Sequence, residues 1–371
     1  MPLTTPAHPP APVAVVPEAR RPSARSGRPL RIEPGDQLVF VTSRIHDCRF
    51  LLHPLLCSRL DPINRKAKRV IDAKRAKLDA RLARLVARAN QRRPPEQPPL
   101  SLAEAKVLAE NLISSALARA QEACRGEGID APEVFAVLVM SNHIHLVARA
   151  RGKNLARFVG YFKARVAESI NRLLGRTGSV WGRRYDAQVI LDDEAALGRV
   201  RYTLQNPQKA KLVRHLDEWP GFVALAGRAN CPDMAATWFD WTAWHRARCP
   251  KDMSAFRRAS PLRLSKLPAL EGLSDTDYVR DILGCLDTLD EHERVLGLDK
   301  VLDTDVEGAP RRAKRARRPY AFGNDDAVHA YRELCQAVAV VYAACSERHR
   351  RGEHIVDWPA GTYPPGFARA A

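Results

Sequence analysis

The chain has 371 residues, 45% of them hydrophobic, enough for a packed core, and it contains no run of about 18 apolar residues that could form a membrane-spanning helix. Its 60 Lys and Arg against 42 Asp and Glu give a formal charge of +18, a balance that points to a polyanionic partner rather than a merely soluble surface. Eight cysteines without a CxxC pair argue against zinc ribbons and a disulfide framework, and fit a reducing cytosol; the N-terminus lacks the compact apolar stretch of a signal peptide.

Residues 1–35 are rich in Pro, Ala and Arg without periodicity and read as a disordered tail. QLVFVTSRI (37–45) has the composition of a first β-strand. The block 64–93 carries twelve Lys or Arg against two Asp, with Ile71, Leu78, Leu82, Leu85 and Ala89 at helical spacing. It reads as a basic amphipathic helix inside an insertion over 60–100, either a solvated face or a DNA-contacting arm. Ser101 and Glu104 form a capping box for a helix running to about Cys124. VFAVLVMSNHIHLVARA (134–150) reads as a buried strand or strand pair, and 154–174 as an amphipathic helix closed by Gly175. A strand near 187–191 follows, then a helix capped by Asp192 or Asp193 that stops at Pro207. The alternation of strands and helices predicts an α/β or α+β sheet domain over 36–225. From 226 to 371 the pattern is mainly helical, with helices expected at 275–296 and 325–351 around a basic run, RRAKRARR (311–318), that suits a linker or a phosphate grip.

Two places carry chemistry. In His143-Ile144-His145 the histidines are two apart on a strand, so both imidazoles project from one face and can serve one divalent metal; hydrogen-bonded core histidines are the alternative. In RVRYTLQNP (199–207), Tyr202 and Asn206 are four apart on a helix, and the amide leans back over the tyrosine. The Asn206 carbonyl oxygen can complete a metal site, and Tyr202 can act as a nucleophile if nearby cations favour its phenolate; Arg199 and Arg201 add such charge. An amphipathic packing role is the alternative for Tyr202.

MSNHIHLV, a helix, GSVWGRRY (178–185) and RYTLQNPQKAKLV (201–213), in that order, resemble the single-tyrosine HUH transposases, closest to their REP-associated tyrosine transposase branch. The resemblance covers roughly 36–215, including VTSRI at the opening strand. It implies an antiparallel sheet backed by helices, ferredoxin- or RRM-like, within an α+β protein whose C-terminal extension is mainly helical. It assigns His143, His145 and Asn206 to a Mg²⁺ or Mn²⁺ and Tyr202 to nucleophilic attack on single-stranded or hairpin DNA. Arg44, Lys163, Arg183, Arg184, Arg199 and Arg201 are the expected DNA contacts; Trp181 and Tyr185 either touch DNA or stabilise their turn. A cytoplasmic, nucleoid-associated protein without membrane contact follows, with a homodimer as one expected assembly. Gln208, where the family usually has valine, is a packing change. The rivals are a replication initiator or relaxase, which usually lack the YxxxNP arrangement, a domesticated DNA-binding protein that no longer cuts, and a structural metal domain. Intact Tyr202 and both histidines weigh against the second, and the lack of a cysteine near the histidine pair disfavours the third.

Overall fold

The computed structural model describes Ile32, residues 35–46, Leu52, isolated positions between 76 and 91, and residues 112–151, 154–174, 177–219, 221–228, 235–248, 250, 252, 254–286, 321–353 and 355–362. The expected tail, the capping box at Ser101, the 311–318 run and most of the basic 64–93 block lie outside them. Within that block the described positions Ala76, Ala80, Ala83, Arg84, Ala87 and Gln91 are helical and exposed, and Arg84 Nε donates to the Ala80 carbonyl at 3.2 Å.

A nine-residue strand, β1 (Asp36–Arg44), leads to α1, described over Leu112–Gly126. The apolar stretch after it folds into two strands, β2 (Glu133–Met140) and β3 (His143–Arg151), joined by the two-residue turn Ser141-Asn142. Then come α2 (Asn154–Leu174), β4 (Asp186–Ile190) and α3 (Asp193–Leu204). A one-turn helix α4 (Asn206–Lys209) and a short strand β5 (Val223–Leu225) follow. The sheet order is β5-β2-β3-β1-β4-β8, where β8 is Ala321–Phe322. Its first five strands pair antiparallel, and only β8 runs parallel to its neighbour β4. The order β2-β3-β1-β4 with two crossing helices is the split β-α-β arrangement of ferredoxin-like folds, an α+β architecture.

Alternation along the strands gives the sheet two apolar faces. Val39, Val41, Ile144, Leu146 and Ala148 point to the side covered by α1 and α2, where Leu155, Phe158, Phe162, Val166 and Ile170 are buried. Each such side chain contributes about 1.5–3 kcal/mol of transfer free energy. The other side takes Phe40, Leu138 and Val147 and is covered by Val200 and Leu204 of α3 and by Leu216 and Trp219. His143 and His145 belong to this second face, because they share the parity of Val147 on β3.

Residues beyond 226 add to both faces: Tyr278 and Ile282 join the second core, whereas Ala236 and Leu262 are buried on the first, against α1. They add the helices α5 (Trp241–Arg246), α6 (Asp275–Gly284) and α7 (Asp325–Arg350), a hairpin of β6 (Ala235–Phe239) with β7 (Arg257–Pro261), and β8. Tyr278 and Ile282 of α6 are fully buried in the α3-side core, and the Leu267 N–H donates to the Tyr278 hydroxyl at 3.3 Å. The strands in this part were not legible in its helical pattern. Among the described residues no helix is long and apolar enough to cross a membrane.

Because Tyr278 lies in the same core as β2 and β3, Tyr278→Ala should destabilise the sheet itself, by about 3–5 kcal/mol as for other large aromatic truncations. Hydrogen exchange of the β2 and β3 amides during urea unfolding checks this. A loss confined to α6, with strand protection unchanged, would show that the segment folds apart from the sheet.

Candidate active site

The histidine pair sits at the end of β3 and in the middle of the sheet. His143 lies opposite Arg44 of β1 and Met140 of β2, and His145 lies opposite Thr42 and Leu138. Their ring centroids are 4.8 Å apart and nearly perpendicular. The Asn142 side-chain oxygen lies 2.6 Å from His143 Nδ1. That contact orients the ring and leaves Nε2 as the nitrogen able to ligate, the supporting hydrogen bond usual for metal-binding histidines. His145 is 6% exposed, and among the described residues neither of its ring nitrogens has a hydrogen-bond partner. Phe40 stacks on it at 5.4 Å, with the planes 12° apart.

Tyr202 approaches over this surface from α3. Its ring centroid is 6.1 Å from that of His145 and 5.9 Å from that of Phe40, edge-on to both. The helix is placed by its cap: Asp192 accepts from the Ala195 N–H at 2.8 Å, while its other oxygen accepts from Asn324 N–H after β8. Gly323 is needed there, because a Cβ would stand 2.9 Å from Leu191 Cβ and 3.0 Å from the Asp192 carboxylate. Pro207 ends α3 by withholding the N–H that the Thr203 carbonyl would accept. The Asn206 amide nitrogen fills the gap, 2.9 Å from the Tyr202 carbonyl and 3.5 Å from that of Thr203. With its nitrogen held by the helix, Asn206 offers its oxygen, and its effect on His145 is that of an acceptor favouring the charged imidazole.

Burial dominates that effect. It pushes His145 down to about 4, with the charge of Arg44 acting in the same direction. His143 lies well below its ordinary value through burial first, then the charges of His145 and Arg44. Both imidazoles are therefore neutral at pH 7, the form that ligates metals. Among the described residues no cluster of three or more His, Cys, Asp and Glu is placed to hold a metal.

Cations surround the tyrosine. The Arg199 guanidinium lies 4.7 Å from the Tyr202 ring centroid and 4.1 Å from that of Phe322; the Lys209 ammonium lies 4.9 Å from the Tyr202 ring on another approach. Arg201, in contrast, is turned to α6, where it contacts the Asp281 carbonyl at 3.1 Å and carboxylate at 3.4 Å. Arg44, Arg183 and Lys163 meet at the histidine end of the sheet. Gly182 N–H donates to the Arg44 carbonyl, Trp181 bridges Ile45, and Lys163 Nζ donates to the Arg183 carbonyl while lying 5.1 Å over Trp181. Arg183 and Arg184 are exposed beside them. Trp181 donates to the Lys163 carbonyl and Tyr185 is buried, so both serve the turn. Gln208 is buried too and donates to the Arg214 carbonyl, which makes it a packing residue.

The sheet also separates the tyrosines. Tyr161 and Tyr185 belong to the α1/α2 side, and Tyr202 to the histidine side. Sequence reasoning missed Asn142, Phe40, Lys209 and Phe322. The first is adjacent to His143, and Phe40 shares the parity of Thr42 on β1, so both were within reach of strand alternation. Lys209 stands two residues past Pro207 in the same motif. Phe322 had no local signal, because only the tertiary pairing of β8 with β4 brings it to Phe40, 6.0 Å away.

The depressed histidines make stability pH-dependent. An unfolded chain takes up protons below about 6.5, while folded His145 resists until about 4. Stability from this group is fully present above the unfolded value and lost as pH falls through the folded one, of order 3 kcal/mol for His145 alone. Urea unfolding in EDTA should show that decline between these pH values, flattened in His145→Phe. An equal decline in both proteins would place its origin elsewhere.

No family model and no curated protein matches the chain. Among solved structures, it is similar to a REP-associated tyrosine transposase bound to a REP hairpin, at 15% identity and a TM-score of 0.27. The match covers 53% of this chain and 79% of that one.

Proposed function

We propose that the chain is a metal-dependent, single-tyrosine nuclease and strand transferase acting on single-stranded or hairpin DNA, a transposase of the HUH class. The observation that carries this reading is the meeting of Tyr202, Asn206, His143 and His145 on one sheet face, although the two motifs are about sixty residues apart in the chain. A structural histidine pair would satisfy its buried nitrogens within the protein; among the described residues those of His145 make no hydrogen bond of standard geometry, and the Asn206 oxygen is the acceptor that bears on them. A divalent ion fits the donor set, two neutral imidazoles and an amide oxygen, and would be held by His143, His145 and Asn206. Such an ion, when bound, polarises a phosphoryl oxygen.

The chain's own residues supply the rest. Arg44, Arg183, Arg184 and Lys163 form a basic margin for the phosphate backbone at the histidine end. Arg199 and Lys209 flank the Tyr202 ring and stabilise negative charge that develops on its oxygen and on the phosphate. The Tyr202 oxygen gives up its phenolic proton to solvent and attacks phosphorus. The bond from phosphorus to the 3′-oxygen breaks, and that oxygen leaves as a hydroxyl after taking a proton from solvent, so no net proton is consumed. The product is a 5′-phosphotyrosine. A 3′-hydroxyl from another strand end then attacks the same phosphorus and releases the tyrosine. One phosphodiester is broken and one formed, so rejoining needs no external energy source.

Incubation with labelled hairpin and single-stranded DNA in Mn²⁺, followed by denaturing electrophoresis, tests the reading. A covalent adduct should form in the wild type, vanish in Tyr202→Phe and in EDTA, and persist in Tyr185→Phe. His143→Ala and His145→Ala should each remove most of the activity. Asn206→Ala should lose less and recover in part at high Mn²⁺, since a neutral amide is the weakest of the three ligands. An adduct that survives in Tyr202→Phe, or is indifferent to chelation, would overturn the mechanism; DNA binding without any adduct would make the protein a binder.

A further inference from the structure

Three guanidiniums converge on one tyrosine on the side of the sheet away from Tyr202. Tyr161 of α2 is half-buried against the α1/α2 core. Arg157 and Arg165, one turn to either side of it, place their guanidinium carbons 5.6 and 5.2 Å from its ring centroid. From α1, Arg119 lies close enough to the Tyr161 hydroxyl for that oxygen to favour its charge. The three charges are not equally answered. Arg157 is paired with Glu127 through two of its nitrogens. Arg165 reaches Glu168 through one terminal nitrogen, and its Nε is buried without a hydrogen-bond partner. Arg119 has no carboxylate within ion-pair distance among the described residues, and its Nε is likewise buried and unpartnered. Burial opposes the Arg119 charge, and the repulsion from Arg165 outweighs the attraction of Glu168.

Arg119 is nevertheless held in place. Its guanidinium carbon stands 3.8 Å from the centroid of the Trp238 ring on β6. Trp238 Nε1 donates to Ser260 Oγ of β7 at 2.8 Å, and Ser260, 2% exposed, donates to the Glu122 carboxylate of α1 at 2.8 Å. The hairpin thus fixes the indole, and the indole fixes the guanidinium. A partly desolvated charge without a counter-charge is destabilising unless something completes it. We propose that Arg119 and Arg165, beside Tyr161, form a binding site for a phosphate group. A tetrahedral phosphate presents oxygens to two guanidinium forks at once, whereas a planar carboxylate matches a single fork. The stacked Arg119 is preorganised for this, so little side-chain freedom is lost on binding. The phosphate belongs either to a nucleic-acid backbone or to a free monoester, which offer the same oxygens. The site lies across the sheet from His145 and draws Trp238 from the hairpin beyond residue 226, so it is independent of the reading of the histidine and tyrosine site.

Nuclear magnetic resonance of the arginine Nε–H groups in the full chain, titrated with inorganic phosphate against chloride at constant ionic strength, tests it. Two signals, assigned by their absence from Arg119→Met and from Arg165→Met, should shift together and saturate around ~1 mM phosphate. In each variant the remaining signal should report binding weakened by roughly tenfold or more, the effect of losing one charge-assisted donor pair. Methionine keeps an apolar stem against Trp238, and Arg165 is 28% exposed, so at least the second variant tests binding without disturbing the core. Two oligonucleotides of one sequence, with and without a 5′-phosphate, separate the sources on the same two signals. Displacement of phosphate by both marks a backbone phosphodiester, by the phosphorylated strand alone a terminal monoester, and by neither a small free phosphate compound. Shifts that grow without saturating, or phosphate bound as tightly by both variants as by the wild type, would overturn the proposal.

Discussion

Two neutral imidazoles side by side on a nearly dry sheet face constrain everything around them. An unsatisfied buried polar atom costs about 1–3 kcal/mol, and His145 carries two such nitrogens. The fold tolerates this because β3 is a central strand, locked between β1 and β2 in fixed register, so the rings cannot slip to the other face without moving every apolar residue of the strand. Phe40 stacks on one ring and Asn142 orients the other. Burial first, and then the positive charge of Arg44, favours the unprotonated form of both. The arrangement is costly for stability and suited to receiving a ligand.

The tyrosine helix is fitted to that constraint from both ends. At its start, Asp192 caps α3 and also receives the backbone that follows β8, which ties the C-terminal part of the chain to the position of Tyr202. At its end, Pro207 leaves a carbonyl without a donor, and Asn206 turns its amide nitrogen inward to the helix. The residues beyond 226 therefore do more than extend the protein. Phe322 supports Phe40 and the Arg199 guanidinium, while α6 engages Arg201 and fills the core beneath α3.

Much of this was legible in the sequence, for reasons that can be traced to particular residues. Period-two alternation placed His143 and His145 on one face, and the four-residue spacing joined Tyr202 to Asn206. Asp192 and Pro207 marked helix ends by their backbone chemistry. The split of 134–150 into two strands was less certain, because Ser141-Asn142 is a short break within a continuous apolar run. What the sequence concealed depends on pairing over long separations. β8 is two residues long and joins β4 across some 130 residues, so no local pattern announces it. Arg201 looked equivalent to Arg199, and only the docking of α6 separates the ion pair with Asp281 from the guanidinium stacked over Tyr202.

The central claim is that β3 and α3 together build a site for a divalent cation next to Tyr202. Mn²⁺ binding to the DNA-free protein, followed by electron paramagnetic resonance with detection of nitrogen couplings, tests it most directly. The account predicts a bound ion coupled to two imidazole nitrogens, lost in His145→Ala and retained in Tyr202→Phe. Mn²⁺ bound without nitrogen coupling, or bound equally by His145→Ala, would contradict it.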